Sequence, residues 1–209
     1  MKLEWTLGKR HLISALFRGM EGDAREYGSS MAAHMPTLYL LAQNWSFGEI
    51  VEVGVGRGWS TVSFLAAISD VVGKRLRSFD IDPVRHSAVV QASGLSIQEL
   101  SSYWDFKISD SVDAAHRFED RSVSLLFIDT THTYEKTRQE LEAWLPKIHP
   151  DGIVCGHDYY LYEHPSWSKE SGVHIAVNEF SARHKERFRL QLIPNDFGLF
   201  IFWPTKAAT

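Results

Sequence analysis

Short runs rich in apolar and β-branched residues alternate along this chain with longer stretches of helical period. The runs at 50–53, 76–79, 104–108, 123–128 and 153–155 predict strands, each bounded by glycine, aspartate or other turn-forming residues. Between them, residues 61–68, 86–103 with a break at Gly94, 112–118 and 134–148 predict helices. The last is the clearest, because Leu141, Trp144, Leu145 and Ile148 stand at i, i+3, i+4 and i+7 and share one face. Pro150-Asp151-Gly152 predicts a turn and residues 173–185 a further helix. Two closing strands, 188–193 and 198–203, are joined through Pro194-Asn195-Asp196. Ahead of this alternation lie two helical patterns, 11–20 and 35–45, with a joint containing glycine and serine over 22–30.

Such alternation calls for an α/β fold, a doubly wound, seven-stranded, mostly parallel sheet with helices on both faces. The last two strands are joined too closely for a parallel crossover, so they pair antiparallel. No linker divides the chain. It reads as one domain over 1–209, with 1–45 a helical cap at the active site and 46–209 the ligand-binding core. With 22 Lys and Arg against 26 Asp and Glu the net charge is −4, and no basic run suggests a nucleic-acid partner. Nothing approaches the roughly 20 apolar residues of a membrane span. The run Leu12-Ile13-Ser14-Ala15-Leu16-Phe17 is too short for a secretory leader. The single cysteine, Cys155, excludes an internal disulfide and a cysteine zinc site, and a cytoplasmic protein is expected.

The chemistry concentrates in Glu52-Val53-Gly54-Val55-Gly56-Arg57-Gly58-Trp59-Ser60-Thr61, between the first strand and its helix. Glycines there let the backbone turn sharply and approach a ligand, and the helix N-terminus offers unpaired N–H groups. A dinucleotide fingerprint would need glycine where Trp59 stands, and Glu52 would repel a pyrophosphate. The same carboxylate suits a ligand with an ammonium group and no phosphate, such as S-adenosylmethionine (SAM). The spacing Glu-x-Gly-x-Gly-x-Gly resembles the first motif of class I SAM-dependent methyltransferases. That resemblance implies a cofactor site of Glu52, Gly54, Gly56, Gly58 and Ser60. Asp80 would bond the ribose hydroxyls ahead of its neighbour Asp82, and Asp110 and Ser111 would stand beside the adenine.

From Val123 to Tyr159 a narrower likeness appears. Ile128-Asp129-Thr130-Thr131-His132-Thr133-Tyr134 resembles the "ID-x-x-H-x-Y" segment of a bacterial methyltransferase group related to the cephalosporin-biosynthesis protein once labelled a hydroxylase. Residues 150–159 resemble its "GG-x-x-x-x-HDY" ending. Asp151 replaces that group's first glycine, and Thr130 the glycine two before its histidine. Asp129, His157 and Asp158 end the fourth and fifth strands in one crevice, where they could hold Mg²⁺ or Mn²⁺. The competing roles are a bond from Asp129 to the methionyl amine and a loop-capping or Asp158-pairing His157. His132 is the candidate base, with a structural role against Asp158 as its alternative. The aromatic stretch from Tyr159 to Ser168, with Tyr160, Tyr162 and Trp167, either walls an acceptor pocket or packs against the N-terminal helices or a second subunit.

The leading expectation is a SAM-dependent O-methyltransferase for a small-molecule hydroxyl, metal-assisted and a candidate homo-oligomer. A nicotinamide-dependent oxidoreductase and a non-catalytic SAM-binding module are the alternatives.

Overall fold

A computed structural model describes residues 6–23, 26, 30–45, 47–166 and 171–205. Seven strands form one sheet: β1 (Glu49–Val53), β2 (Leu76–Asp80), β3 (Trp104–Ile108), β4 (Val123–Ile128), β5 (Ile148–His157), β6 (Phe188–Ile193) and β7 (Leu199–Pro204), in the order β3-β2-β1-β4-β5-β7-β6. The first five are parallel, and β7 runs antiparallel between β5 and β6, as the short connection required. The helices are α1 (Leu7–Arg18), α2 (Met35–Asn44), α3 (Trp59–Ile68), α4 (Arg85–Ser93), α5 (Ile97–Leu100), α6 (Ser111–Ala115), α7 (Tyr134–Trp144) and α8 (Val173–Arg183).

Period-two alternation divides the sheet's side chains between two apolar clusters. Ile50, Leu125, Phe127 and Ile153 face α1 to α4, while Val51, Val53, Leu126 and Val154 face α6, α7 and α8. Every residue of α3 is buried, because the sheet lies on one side of it and α1 and α2 on the other. The N-terminal helices thus form an extra layer beside α3. Lys9 is fastened at the far end of α3, where its ammonium donates to the carbonyls of Ala66 and Ala67 and to Asp70. It satisfies the last helical carbonyls with a positive charge at the negative end of the helix. The segment beyond α1 reaches the strand tips through His34, whose ring lies 5.1 Å from that of His157. Among the described residues the helical layer buttresses α3 and meets the strand tips at His34.

The region after α7 departs from the sequence expectation. Pro146 lacks an amide hydrogen and ends the helix at Trp144, after which Leu145–Lys147 forms a 3-10 turn. Ile148 already belongs to β5, which runs through Pro150-Asp151-Gly152 with a register shift against β4 instead of turning there. The expected turn is a bulge, imposed by pairing with the fully buried β4.

Replacing Lys9 by Met should remove three charge-assisted hydrogen bonds and lower unfolding free energy by about 1.5–3 kcal/mol. Urea titration monitored by tryptophan fluorescence would measure it, with Asp70→Asn, which spares both carbonyl contacts, losing clearly less.

Candidate functional site

The strand order reverses between β1 and β4, whose carboxyl ends lie side by side at the switch point where open α/β sheets bind ligands. Gly54 ends β1 with φ of 85°, and a Cβ built on it would stand 1.8 Å from the carbonyl oxygen of Asp129. Glycine alone permits that approach. The amide of Gly54 donates to Phe79 O and that of Asp129 to Val53 O, which fixes three strand ends together. Beyond them opens a cavity of about 380 Å³, within the range of small-molecule sites. Gly54, Gly56, Asp80, Asp82, Ser109, Asp110, Ser111, Asp129 and Thr130 line it, with Arg85 and Lys136 as its cations.

Asp80 reaches the cavity while organising the bend. Its Oδ2 accepts from the amides of Val55 (2.8 Å) and Gly56 (3.5 Å), and its Oδ1 from that of Asp82 (2.9 Å). Asp110 caps α6 by accepting from Val112 N and receives Lys136 Nζ at 2.6 Å. Burial opposes its ionisation, but Lys136 and the helix amides outweigh it and hold the carboxyl below the usual range. Ser111 borders the same cavity with its hydroxyl turned away, donating to Glu140.

Three residues expected at the cofactor stand behind the loop. Glu52 shares the face of Ile50 beneath α3 and is 0% exposed. Its carboxylate accepts from Ser60 (2.6 Å), Thr61 (2.7 Å) and Ser78 (2.6 Å). Burial is the dominant effect and pushes its carboxyl up to about 7 despite these bonds. Ser60 is spent on that carboxylate, and Gly58 gives room for Val89 of α4, 2.9 Å from a built Cβ. Glu52 therefore anchors α3 to β1 and β2 and forms no part of the rim. The rim's negative charge comes from Asp80, Asp82, Asp110 and Asp129.

The tips of β4 and β5 bring the predicted acid–imidazole group together. His132 Nε2 stands 2.6 Å from Asp158 Oδ2 and 3.7 Å from Asp129 Oδ1. The ligand atoms of Asp129, His132 and Asp158 all lie within 4.8 Å of one another. His157 Nδ1 is 3.2 Å from Asp158 Oδ1 and 4.0 Å from Asp129 Oδ1, while its Nε2 donates to the carbonyl of Asp196 at 2.9 Å. Asp158 itself adopts φ of 64°, a left-handed conformation that costs a non-glycine residue energy. Burial disfavours charge on His132, but Asp129 and Asp158 overcome it and push the imidazole up to about 10. His132 consequently holds its proton at neutral pH in this arrangement and must give it up before serving as a base. Burial likewise opposes ionisation of Asp158, and His132 and His157 hold it well below the usual carboxylate range.

Most of the aromatic loop packs inward. Tyr159 donates to Asn178 of α8, Tyr160 sits against Gly198, and the Tyr162 ring lies 4.0 Å from that of His174. Trp167 and Ser168 lie outside the described residues. Lys136 and Glu140, one turn apart on α7, escaped the sequence reading. Their only signal was a position soon after the β4 tip on an otherwise ordinary charged helix face.

The linkage sign follows from these shifts. His132 is raised from 6.5 to about 10, so its stabilisation is complete below about pH 6.5 and vanishes as pH rises through 10. Asp158 is depressed, so its share is present above the ordinary carboxylate range and is lost on acidification. The stability difference between wild type and His132→Gln, measured by urea unfolding at pH 7 and near pH 10, should shrink at the higher pH.

Comparison with known proteins gives this geometry a family. A sequence family described as a methyltransferase domain matches residues 51–159, more than half of the chain. A protein of Sinorhizobium fredii described as uncharacterized is 38% identical over 71 residues, which is 32% of this chain and 8% of that protein. The match thus spans less than a tenth of that relative's length. A Corynebacterium glutamicum protein of known structure superposes with a TM-score of 0.70 at 17% identity, over 94% of this chain and 92% of the other. The O-methyltransferase of Bacillus cereus, solved in complex with S-adenosylhomocysteine, gives 0.67 at 14% identity over 92% and 91%. At such identities the structural likeness is one of fold. The match across the glycine bend, the carboxylates of β2 and β3 and both strand tips decides the matter: the chain belongs to the methyltransferase-domain family.

Proposed function

We propose that this protein is a SAM-dependent O-methyltransferase acting on a small-molecule hydroxyl with the help of a divalent cation. The observation that carries the reading is the double position of Asp129. It lines the cavity beside the glycine bend and also belongs to the compact group with His132 and Asp158. A methyl donor in the cavity would thus end where an acceptor held at the strand tips begins.

The residues fit both groups. The backbone of Gly54 and Gly56 is bare enough for close approach by a nucleoside, and Asp80 retains lone pairs facing the cavity for ribose hydroxyls. Asp110, steadied by Lys136, stands where the far end of the nucleoside would reach. For the cation, Asp129, His132 and Asp158 supply two hard oxygens and one nitrogen, a donor set suited to Mn²⁺ or Mg²⁺. In this assignment His132 takes the nitrogen-donor place expected of His157. Bonded to Asp196 O through Nε2, His157 orients Asp158 from behind. When bound, SAM supplies the methyl group and the cation lowers the pKa of the acceptor hydroxyl. The chain's own part is to align the hydroxyl oxygen with the methyl carbon and to keep the carboxylates oriented.

Calorimetry should show micromolar SAM binding, weakened roughly tenfold or more by Asp80→Ala, which also loosens the bend. Mn²⁺ must displace the proton held by His132. Titration near pH 7 in buffers of different ionisation enthalpy should therefore report release of about one proton per ion, with tighter binding as pH rises. Binding without proton release would remove His132 from the ligand set, and retention of full transferase activity after exhaustive chelation would remove the cation.

A further inference from the structure

The hydroxyls of Ser111 and Thr130 both turn away from the cavity they border and donate to one oxygen, Oε1 of Glu140, at 2.5 Å each. Ser111 opens α6 on the adenosine side, and Thr130 follows Asp129 at the tip of β4. Glu140 reaches both from the middle of α7, across a wall of the cavity that neither strand end could span alone. It is 0% exposed, and its Oε2 is buried without a hydrogen-bond partner among the described residues. Burial, the leading influence, raises its carboxyl. Among the described residues these two hydroxyls are its hydrogen-bond donors, with the charge of Lys136 one turn away as a weaker aid, so each bond is costly to break and locks its rotamer. Thr130 is also where this chain departs from the glycine of the group it resembles, and a glycine there would have no hydroxyl to donate.

We infer that Glu140 is a positioning residue for the methyl donor, tying the adenosine end of the cavity at Ser111 to the methyl-transfer end at Thr130 and Asp129. The inference rests on the SAM reading above. α7 also holds the start of α6 through Lys136 Nζ on Asp110 and Trp144 Nε1 on the carbonyl of Ser111, and Glu140 adds a side chain that bonds Ser111 and Thr130 at once. Through Glu140 they move as one body. The spacing between Ser111 and Thr130 is then held by a side chain buried behind the cavity wall.

Titration calorimetry with SAM on Glu140→Ala, Glu140→Gln, Thr130→Val and the double variant Thr130→Val/Glu140→Ala tests this. Thermal unfolding run in parallel reports the fold. Glu140→Ala should weaken SAM about tenfold or more, and Glu140→Gln, which keeps an acceptor oxygen for both hydroxyls, should restore affinity to within roughly threefold of wild type. Thr130→Val should weaken SAM in the wild-type background but have no further effect beside Glu140→Ala, because its hydroxyl would already be without its partner. Should Glu140→Ala fail to fold, Thr130→Val with Ser111→Ala gives the same cycle, the second substitution adding less than the first. Unchanged SAM affinity in folded variants, or strictly additive losses, would overturn the inference while leaving the SAM reading intact. No SAM binding by the wild type would overturn both.

Discussion

Gly54 and the carbonyl of Asp129 share a space that no side chain can enter, and the site is built outward from that contact. The close approach of β1 to β4 sets the glycine bend against the β4 tip, and the Asp129 amide donates back to Val53 O. Asp129 is thereby placed at the cavity and within 4.0 Å of both histidines at the strand tips. Each later feature depends on this spacing. Asp80 gathers the amides of the bend, and Asp158 is drawn toward His132. A residue with a Cβ at position 54 would separate the glycine-lined cavity from the charged group at the strand tips.

Buried carboxylates do much of the positioning without meeting a ligand. Glu52 lies under α3 and binds hydroxyls from α3 and β2, so the start of that helix, and with it the bend, is fixed to the sheet. Glu140 does the corresponding work on the other face, between α6 and β4. The hydrogen bonds that hold both come from hydroxyl donors, and Lys136 adds only a more distant charge at Glu140. Such donors restrain a carboxylate in direction while leaving its charge only partly compensated, hence the raised carboxyl of each. The carboxylates at the cavity rim and at the strand tips are arranged otherwise. Asp110 has Lys136, and Asp158 has two histidines, so these groups stay ionised and are ready to meet a cationic or hydrogen-bonding partner.

The histidines divide between the same two tasks. His157 is buried and bonds Asp196 O at 2.9 Å, which the Nε2 atom of His34 also approaches at 3.4 Å. These contacts hold the turn before β7 against the end of β5, next to residues with positive φ at Asp196 and Phe197. His132, partly open, faces the two carboxylates whose charge it balances. The two imidazoles at the strand tips thus differ in burial and in partners.

The sequence by itself determined the sheet, its reversal and the places where chemistry could gather. Strand and helix periodicities, the glycine triad and aspartates closing apolar runs are local signals, each written within a few neighbouring residues. β3, β4 and β6 match their predicted spans, and Asp80, Asp110 and Asp129 meet at one cavity. What only the tertiary structure decided is which of the singled-out side chains face that cavity. Glu52 reads as a rim residue until α3 is seen covering its face of β1. The turn at Pro150-Asp151-Gly152 becomes strand because β4 offers it a partner. Glu140 has no local signature at all, since its role arises from hydroxyls 29 and 10 residues away that only the fold brings to one oxygen. Periodicity reports what a residue's neighbours along the chain require. Burial and hydrogen-bond partnership depend on elements distant in sequence, and these decided which side chains face the cavity and which stand behind it.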